Sequence, residues 1–335
     1  MDESTQPFRV IRRPGTRQLI ALLRNADVVH FAGPVFLPFA LALLLRKPVV
    51  LEHHGFQAIC PNGQMFYEPA GLPCPGHFMA GRHRECLRCT RSEGRLAPLK
   101  LWALTFPRRL LCRFAAVNVA PTDWLAGLLA LPRCETVHHG LSRADNEGAS
   151  SNDGNFVSFA FQGRLVSTKG AAVILAAAAR LKSMGYKFEL TLIGDGPKRQ
   201  SLAALAHELH IEDVTRFTGY LSQNALENAI SRADVVLMPS LGGEVFGLVA
   251  LENMLRQKLV VVSRIGALEE VLGDAGLACR PGDVQNWADT MEHILREPTL
   301  RAGCGSKARE RAKRLFSEEE MIRGHMQLYE RALSR

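Results

Sequence analysis

The sequence predicts an α/β protein built from two Rossmann-like units, each a parallel sheet covered by helices. Three observations carry that prediction. The chain has 335 residues, 47% hydrophobic and 22% charged, a globular composition long enough for two cores. Short apolar strand runs alternate with helical segments in two successive stretches, the pattern of crossover-connected parallel strands. Between those stretches, residues 142–154 are rich in Ser, Asn, Asp and Gly and lack apolar periodicity, as a linker does.

The elements follow in order. Asp27–His30 and Pro48–Leu51 read as buried strands with a helix between them; Ala116–Ala120 is a third, and Thr136–Gly140 closes the first unit. A doubly wound domain ordinarily opens on an apolar strand and a glycine-rich turn. This chain opens on a polar stub followed by Phe8-Arg-Val-Ile11, so the first unit is expected to lack its first β–loop–α, either through a truncated or mis-set start or as a reduced domain. In the second unit, strands are expected at Val157–Gln162, Phe188–Ile193, Val214–Phe217, Val235–Met238 and Val260–Ser263. Helices are expected at Ala171–Met184, Gln200–Leu209 and Gln223–Ala233, with a further one carrying Glu252. The tail, Ser317–Leu333, is a helix with acidic residues in its first turn, where the helix dipole favours them. The expected division is thus 1–141, 155–315, and a terminal helix from 316 that packs back toward the first unit.

The formal net charge is +8, and it is unevenly placed. Residues 1–140 hold 17 Lys/Arg against 9 Asp/Glu, whereas the remainder is balanced at 24 of each. That excess suits an anionic partner such as a phosphorylated or lipid-linked acceptor or an acidic membrane surface. No RNA- or DNA-binding motif accompanies it, so nucleic acid is not expected. The start is acidic and polar without an apolar stretch behind it, which is no secretory signal. The longest apolar run, Val35–Leu45, contains Pro38 and is too short to cross a bilayer. With sparse cysteines, the expected setting is the reducing cytoplasm.

Two segments carry the chemistry. In the first, Met238-Pro239-Ser240 ends a strand, Gly242-Gly243 allows a tight turn, and Glu244 stands in the loop before a helix starting near Phe246-Gly247. The free N–H groups of that helix start can bind anionic oxygens, and Glu252, more than a turn inside, can reach a diol beside them. In the second segment, Gly163-Arg164 through Lys169-Gly170 follows a strand and offers two cations able to neutralise a diphosphate leaving group without a metal ion. Both lie at the carboxyl edge of the sheet, where open α/β sheets bind ligands. The set suits a nucleotide diphosphate sugar; the plainer alternative is surface charges on a helix and a loop.

These stretches, with Gly194-Asp195-Gly196-Pro197, Phe217-Thr-Gly219 and Ser263-Arg-Ile-Gly266 before Glu269-Glu270, make residues 155–300 resemble the donor domain of family-4 glycosyltransferases. These are retaining nucleotide-sugar enzymes with two facing Rossmann-like domains, the GT-B fold. Most of 1–140 resembles the partner domain more loosely. The resemblance implies hexosyl transfer with retention by front-face substitution, in which the departing phosphate accepts the acceptor's proton, and no cofactor. It implies that Arg164 and Lys169 bind the diphosphate, Glu252 the ribose and Glu244 the donor sugar. Gly163 and the backbone at Phe246, Gly247 and Leu248 would help hold sugar and phosphate, and Thr218-Gly219-Tyr220 would lie by the base. It also suggests a role in cell-envelope polysaccharide or glycolipid synthesis. A nucleotide-sugar-binding protein with impaired transfer is the alternative.

In the first unit, His54 fits the family's histidine near the reacting carbon, after a strand and six residues before Cys60. His30 reads as structural, and no chemistry is assigned to His138-His139 at the hinge. Cys60, Cys74, Cys86 and Cys89 are a candidate structural zinc set in a Pro/Gly-rich insert, with free thiols the alternative. From Arg82 to Arg113, nine basic residues are interleaved with apolar ones. This is either a peripheral contact with the inner face of a membrane or a packed helix with a solvated basic face.

Overall fold

The computed structural model of the protein describes residues 8–91, 94, 96–142 and 156–334. Apart from Ser142, the expected linker lies outside the described residues. The first domain opens on helix α1 (Thr16–Asn25), followed by β1 (Val29–Ala32), α2 (Phe36–Leu44) and β2 (Val49–Glu52). An insert then carries a small hairpin, β3 (Phe66–Tyr67) and β4 (Leu72–Pro73), and helices α3 (His83–Cys89) and α4 (Ala97–Cys112). β5 (Val117–Ala120), α5 (Asp123–Leu129) and β6 (Cys134–Thr136) complete the domain.

The four long-range strands form one parallel sheet in the order β1-β2-β5-β6. Chain order runs one way across it, so among the described residues this sheet has no point where strand order reverses. A helix precedes its first strand. Side chains alternate across the sheet. Val49 and Leu51 enter a core with Phe39, Leu125 and Leu129, whereas Val50, Val117 and Val119 face the opposite side.

The second domain has six parallel strands: β7 (Val157–Gln162), β8 (Phe188–Ile193), β9 (Thr215–Gly219), β10 (Val235–Met238), β11 (Leu259–Ser263) and β12 (Leu277–Cys279). Its helices are α6 (Ala171–Ser183), α7 (Arg199–Glu208), α8 (Gln223–Ser231), α9 (Leu248–Leu255), α10 (Leu268–Leu272), α11 (Val284–Arg296) and α12 (Pro298–Leu315). The sheet order is β12-β11-β10-β7-β8-β9, the doubly wound arrangement. Its central strands are apolar on both faces because helices cover both, as parallel sheets require. Helices α6 and α11 bury one face around Trp287, and α9, α10 and α12 bury the other around Met254 and Phe316.

After α12 the chain crosses back. Helix α13 (Glu318–Leu333) lays Leu328 and Ala332 on Val50, Val117 and Val119 of the first sheet. The two crossings touch: Leu141 N donates to Phe316 O at 3.1 Å, and a Cβ on Gly140 would sit 2.1 Å from Ser317 O.

Candidate active site

The order of the second sheet locates its binding crevice. From β7 the chain continues toward β8 and β9 on one side, while β10 lies on the other. The loops leaving β7 and β10 therefore diverge, and a crevice opens between them at the strands' carboxyl ends. Those loops hold Arg164–Gly170 and Ser240–Gly247. Leu241 N and Gly242 N both donate to Thr168 O, at 2.7 and 2.9 Å. Gly170 makes the contact possible: its φ is 67°, and a Cβ there would lie 1.9 Å from Pro239 O.

Lys169 ends a single 3-10 turn, Ser167–Lys169, and its ammonium forms an ion pair with Glu244 Oε1. Ser240 Oγ donates to the same oxygen at 2.8 Å. The cation expected at the diphosphate and the carboxylate expected at the sugar are thus partners across the crevice. Arg164 is exposed, and among the described residues no side-chain hydrogen bond or ion pair engages it. Helix α9 starts just past Glu244, capped by Gly247 at φ 95°, so its first-turn N–H groups open on the same crevice. Phe246 is buried beneath, while Leu248 is 45% exposed at the mouth.

Glu252 is held rather than free. Gln162 Nε2 donates to its Oε2 at 3.0 Å, Asn253 Nδ2 fixes Gln162 at 2.9 Å, and Arg256 Nη1 stands 3.8 Å from the same carboxylate oxygen. Neither Gln162, Asn253 nor Ser240 was singled out by the sequence; Gln162's position directly before Gly163 was the available signal. The ends of β7, β8 and β9 are tied together by Gly163 N to Ile193 O at 3.0 Å and Gly194 N to Gly219 O at 3.1 Å. This ties Gly219, with Thr218 before it, to the ends of β7 and β8, while Tyr220 projects almost fully into solvent.

The first domain presents histidines. His54 stacks on His139 with centroids 5.5 Å apart, His139 meets Phe246 edge-on at 5.1 Å, and Phe246 meets Phe316 at 5.4 Å. A row of rings thereby links the end of β2 to the start of α9. His53 is buried, hydrogen-bonded to Asn118 at 3.0 Å, and burial holds its imidazole below its usual pKa. Beneath His54 lies Glu52, 7% exposed. The Nε2 atoms of His30, His54 and His325 approach its Oε2 at 3.1, 3.5 and 3.5 Å, and His139 Nδ1 lies 3.9 Å from Oε1. Burial alone would raise the Glu52 carboxyl; hydrogen bonds with His30 and His325 and the charge of His54 reverse this and hold it far below the usual range. The contact with Glu52 raises His325, whereas burial lowers His139.

Three contacts join the domains beside the crevice. Gly243 N donates to Gln64 O at 2.8 Å and Thr122 Oγ1 to Val245 O at 3.0 Å. Glu270 accepts from the N–H groups of Asp123 and Trp124, at 2.9 and 2.7 Å, at the start of α5.

Cys60, Cys74, Cys86 and Cys89 line one small cavity in the insert. Asn62 bridges two of them, accepting from Cys60 Sγ at 2.9 Å and donating to Cys89 Sγ at 3.2 Å. Burial pushes the Cys86 thiol up to about 12 and that of Cys89 to about 11. Among the described residues, the triplets of metal-ligand atoms within 4.8 Å of one another both contain Glu52, and neither contains a cysteine.

A model of the family described as glycosyl transferases group 1 matches residues 143–311. The chain belongs to this family. It is 35% identical over 204 residues to the D-inositol 3-phosphate glycosyltransferase of Saccharomonospora viridis, covering 58% of this chain and 47% of that protein. To the phosphatidyl-myo-inositol mannosyltransferase of Mycolicibacterium smegmatis it is 36% identical over 151 residues, 44% of this chain and 38% of the other. The chain spans about half the length, or less, of the curated relatives it matches. Among solved structures, sucrose-phosphate synthase from Thermosynechococcus elongatus superposes with a TM-score of 0.71 at 19% identity, over 95% of this chain and 77% of that one. HepE from Anabaena in complex with UDP superposes at 0.69 and 16% identity, over 93% and 80%. This is the GT-B fold, two facing Rossmann-like domains.

Proposed function

We propose that the protein transfers a sugar, with retention of configuration, from a nucleotide diphosphate sugar bound in the β7/β10 crevice to an acceptor held against the first domain. The observation that carries this reading is the polar set at the switch point: Lys169 paired with Glu244, Arg164 exposed on the same loop as Lys169, Glu252 on α9 oriented by Gln162, and the start of α9 just past Glu244. Arg164, Lys169 and the helix N-terminus complement a diphosphate; Glu252 and Glu244 complement ribose and sugar hydroxyls. Donor phosphate entering the crevice competes with Glu244 for Lys169 and frees that carboxylate for the sugar. His54, joined to α9 through His139 and Phe246, stands on the acceptor side of the same crevice. The departing phosphate takes the acceptor's proton. Residues 1–141 form the acceptor side in this reading and 155–315 the donor side, and the terminal helix from 316 belongs with the first.

Donor screening by thermal shift tests the binding step, since a ligand of the folded state raises Tm by linkage. UDP-sugars come first, because HepE is solved with UDP-glucose. Lys169→Ala and Glu252→Ala should each lower transfer or donor hydrolysis at least ~100-fold, the loss expected for one transition-state contact. Near-parental rates in both would overturn the assignment. A second reading, donor binding without completed transfer, is favoured by the one-way strand order of the first sheet. A donor-dependent Tm shift with no product from any acceptor would establish it.

Two further parts of the reading concern the first domain. The four cysteines line one cavity, although among the described residues no three of their sulfurs lie within 4.8 Å of one another, so a structural zinc there would have to draw them together; metal analysis before and after Cys86→Ser decides between it and free thiols. All eight cysteines are unpaired, which accords with a cytoplasmic site of action. No described helix is long and apolar enough to cross a membrane. Yet Leu99, Phe106 and Leu110 of α4 and Leu37 and Leu44 of α2 are exposed beside Lys100 and Arg113, a set suited to the surface of an anionic bilayer. Leu104, Trp102 and Leu111, on the same helix, are partly buried instead. Co-sedimentation with anionic but not neutral vesicles is the expected result.

A further inference from the structure

We propose that His30, Glu52 and His325 form a binding site for one divalent transition-metal ion, zinc by donor set, which clamps the terminal helix α13 onto the first sheet. The three ligands come from β1, the end of β2 and α13, and their donor atoms lie within 4.8 Å of one another. Zinc held at about 2.0–2.1 Å by tetrahedral nitrogen and oxygen ligands places neighbouring ligand atoms about 3.3 Å apart. His30 Nε2 and His325 Nε2 stand 3.1 and 3.5 Å from Glu52 Oε2. Two imidazoles and one carboxylate leave a fourth position for water, and the His30 side chain, 26% exposed, gives an ion a path from solvent.

The far side of each ring argues the same way. Histidines that bind metal engage their second nitrogen with a carbonyl, a carboxylate or another polar partner, which fixes the ring and its tautomer. His325 Nδ1 lies 2.9 Å from Met321 O, which can only accept, so this nitrogen carries the proton. A neutral His325 then turns its Nε2 lone pair toward an anionic oxygen, an arrangement that needs a cation between them or a second proton on the ring. His30 Nδ1 lies 2.7 Å from Tyr329 Oη, also on α13, so the helix both supplies a ligand and orients another. With an ion in place Glu52 turns from His54 toward the metal. That leaves His54 hydrogen-bonding capacity for whatever occupies the crevice.

The site contains no sulfur, which separates it from the cysteine insert in a single experiment. Chelator-treated full-length protein is titrated with Co(II), read by its visible ligand-field absorption and by Tm. The expected result in a Cys86→Ser/Cys89→Ser variant, which removes any thiolate-held ion, is one Co(II) per chain without thiolate charge-transfer bands and a raised Tm. His325→Ala and His30→Ala should abolish that absorption and the Tm rise. Tyr329→Phe, which keeps the ring, should weaken Co(II) binding about 10-fold, the size of a lost outer partner. Circular dichroism of metal-free variants identifies any that fail to fold, and Tyr329→Phe then carries the test. No saturable Co(II) in the parent, Co(II) bound only through thiolate, or binding that survives both histidine variants overturns the proposal.

Discussion

At Gly170 a single missing Cβ lets the two halves of the crevice meet. The residue combines a left-handed φ of 67° with a 1.9 Å approach of its would-be Cβ to Pro239 O. Gly170→Ala is expected to destabilise the second domain by at least about 1–3 kcal/mol and to abolish any donor-induced Tm rise. Gly185→Ala is the matched comparison: its φ is 83° but its Cβ would meet only open space, so it carries the backbone strain without the collision. Thermal unfolding of both separates the two costs; equal losses would mean that loop contact contributes nothing. At this scale the sequence offered Arg164, Lys169, Glu244 and Glu252 as candidates because each lies in a local strand–turn–helix context. It could not reveal that Lys169 pairs with Glu244, 75 positions away, or that Gln162 holds Glu252. The cluster at Glu52 was hidden more thoroughly, since its histidines lie at positions 30, 54, 139 and 325 and only the tertiary fold assembles them.

Among elements, the second domain was legible nearly strand for strand. Its central strands are largely continuous apolar runs, with β7 running into Gly163 and β10 into Pro239, and burial on both faces leaves little competing pattern. The first domain was less so. β6 runs from Cys134 to Thr136 rather than from Thr136, because this short edge strand pairs with β5 alone and has no apolar run of its own. The β3–β4 hairpin, two residues a side, is set by the insert's contacts and has no periodicity to read. The terminal helix was legible from its acidic first turn, where Ser317 also caps Glu320 N at 3.2 Å. Its energetic part follows from the first sheet, whose Val50, Val117 and Val119 would otherwise be uncovered. Leu328, 1% exposed against them, should cost about 2–5 kcal/mol when changed to alanine. Ile322→Ala, on the same helix but 53% exposed, should cost little. Calorimetry checks this, and the loss should fall on the transition of the first domain while that of the second stays in place.

At the scale of the whole molecule, Glu270 ties the two domains by charge beside the crevice. Its carboxylate accepts two backbone N–H groups at the start of α5, where the helix dipole also favours a negative charge. Glu270 thus closes an N-terminus of one domain from the other. Thr122, which caps α5 from within by accepting from Leu125 N at 3.3 Å, donates its own hydroxyl proton to Val245 O, so the same turn is held twice from across the boundary. Glu270→Ala leaves the α5 cap of Thr122 intact but releases two charge-assisted bonds. Such bonds are worth about 1.5–3 kcal/mol each when partly buried, and much of that should appear as looser domain pairing rather than as unfolding. The expected outcome is a larger radius of gyration by small-angle X-ray scattering and a weaker donor-induced Tm shift, with the far-UV spectrum unchanged. Glu269→Ala supplies the comparison, because among the described residues the Glu269 side chain reaches only Arg264 of its own domain, at 4.0 Å, and half of it is exposed. A radius of gyration that moves equally in both variants, or in neither, would assign the closed arrangement to the backbone contacts at Gly243 and the aromatic row from His54 to Phe316 instead.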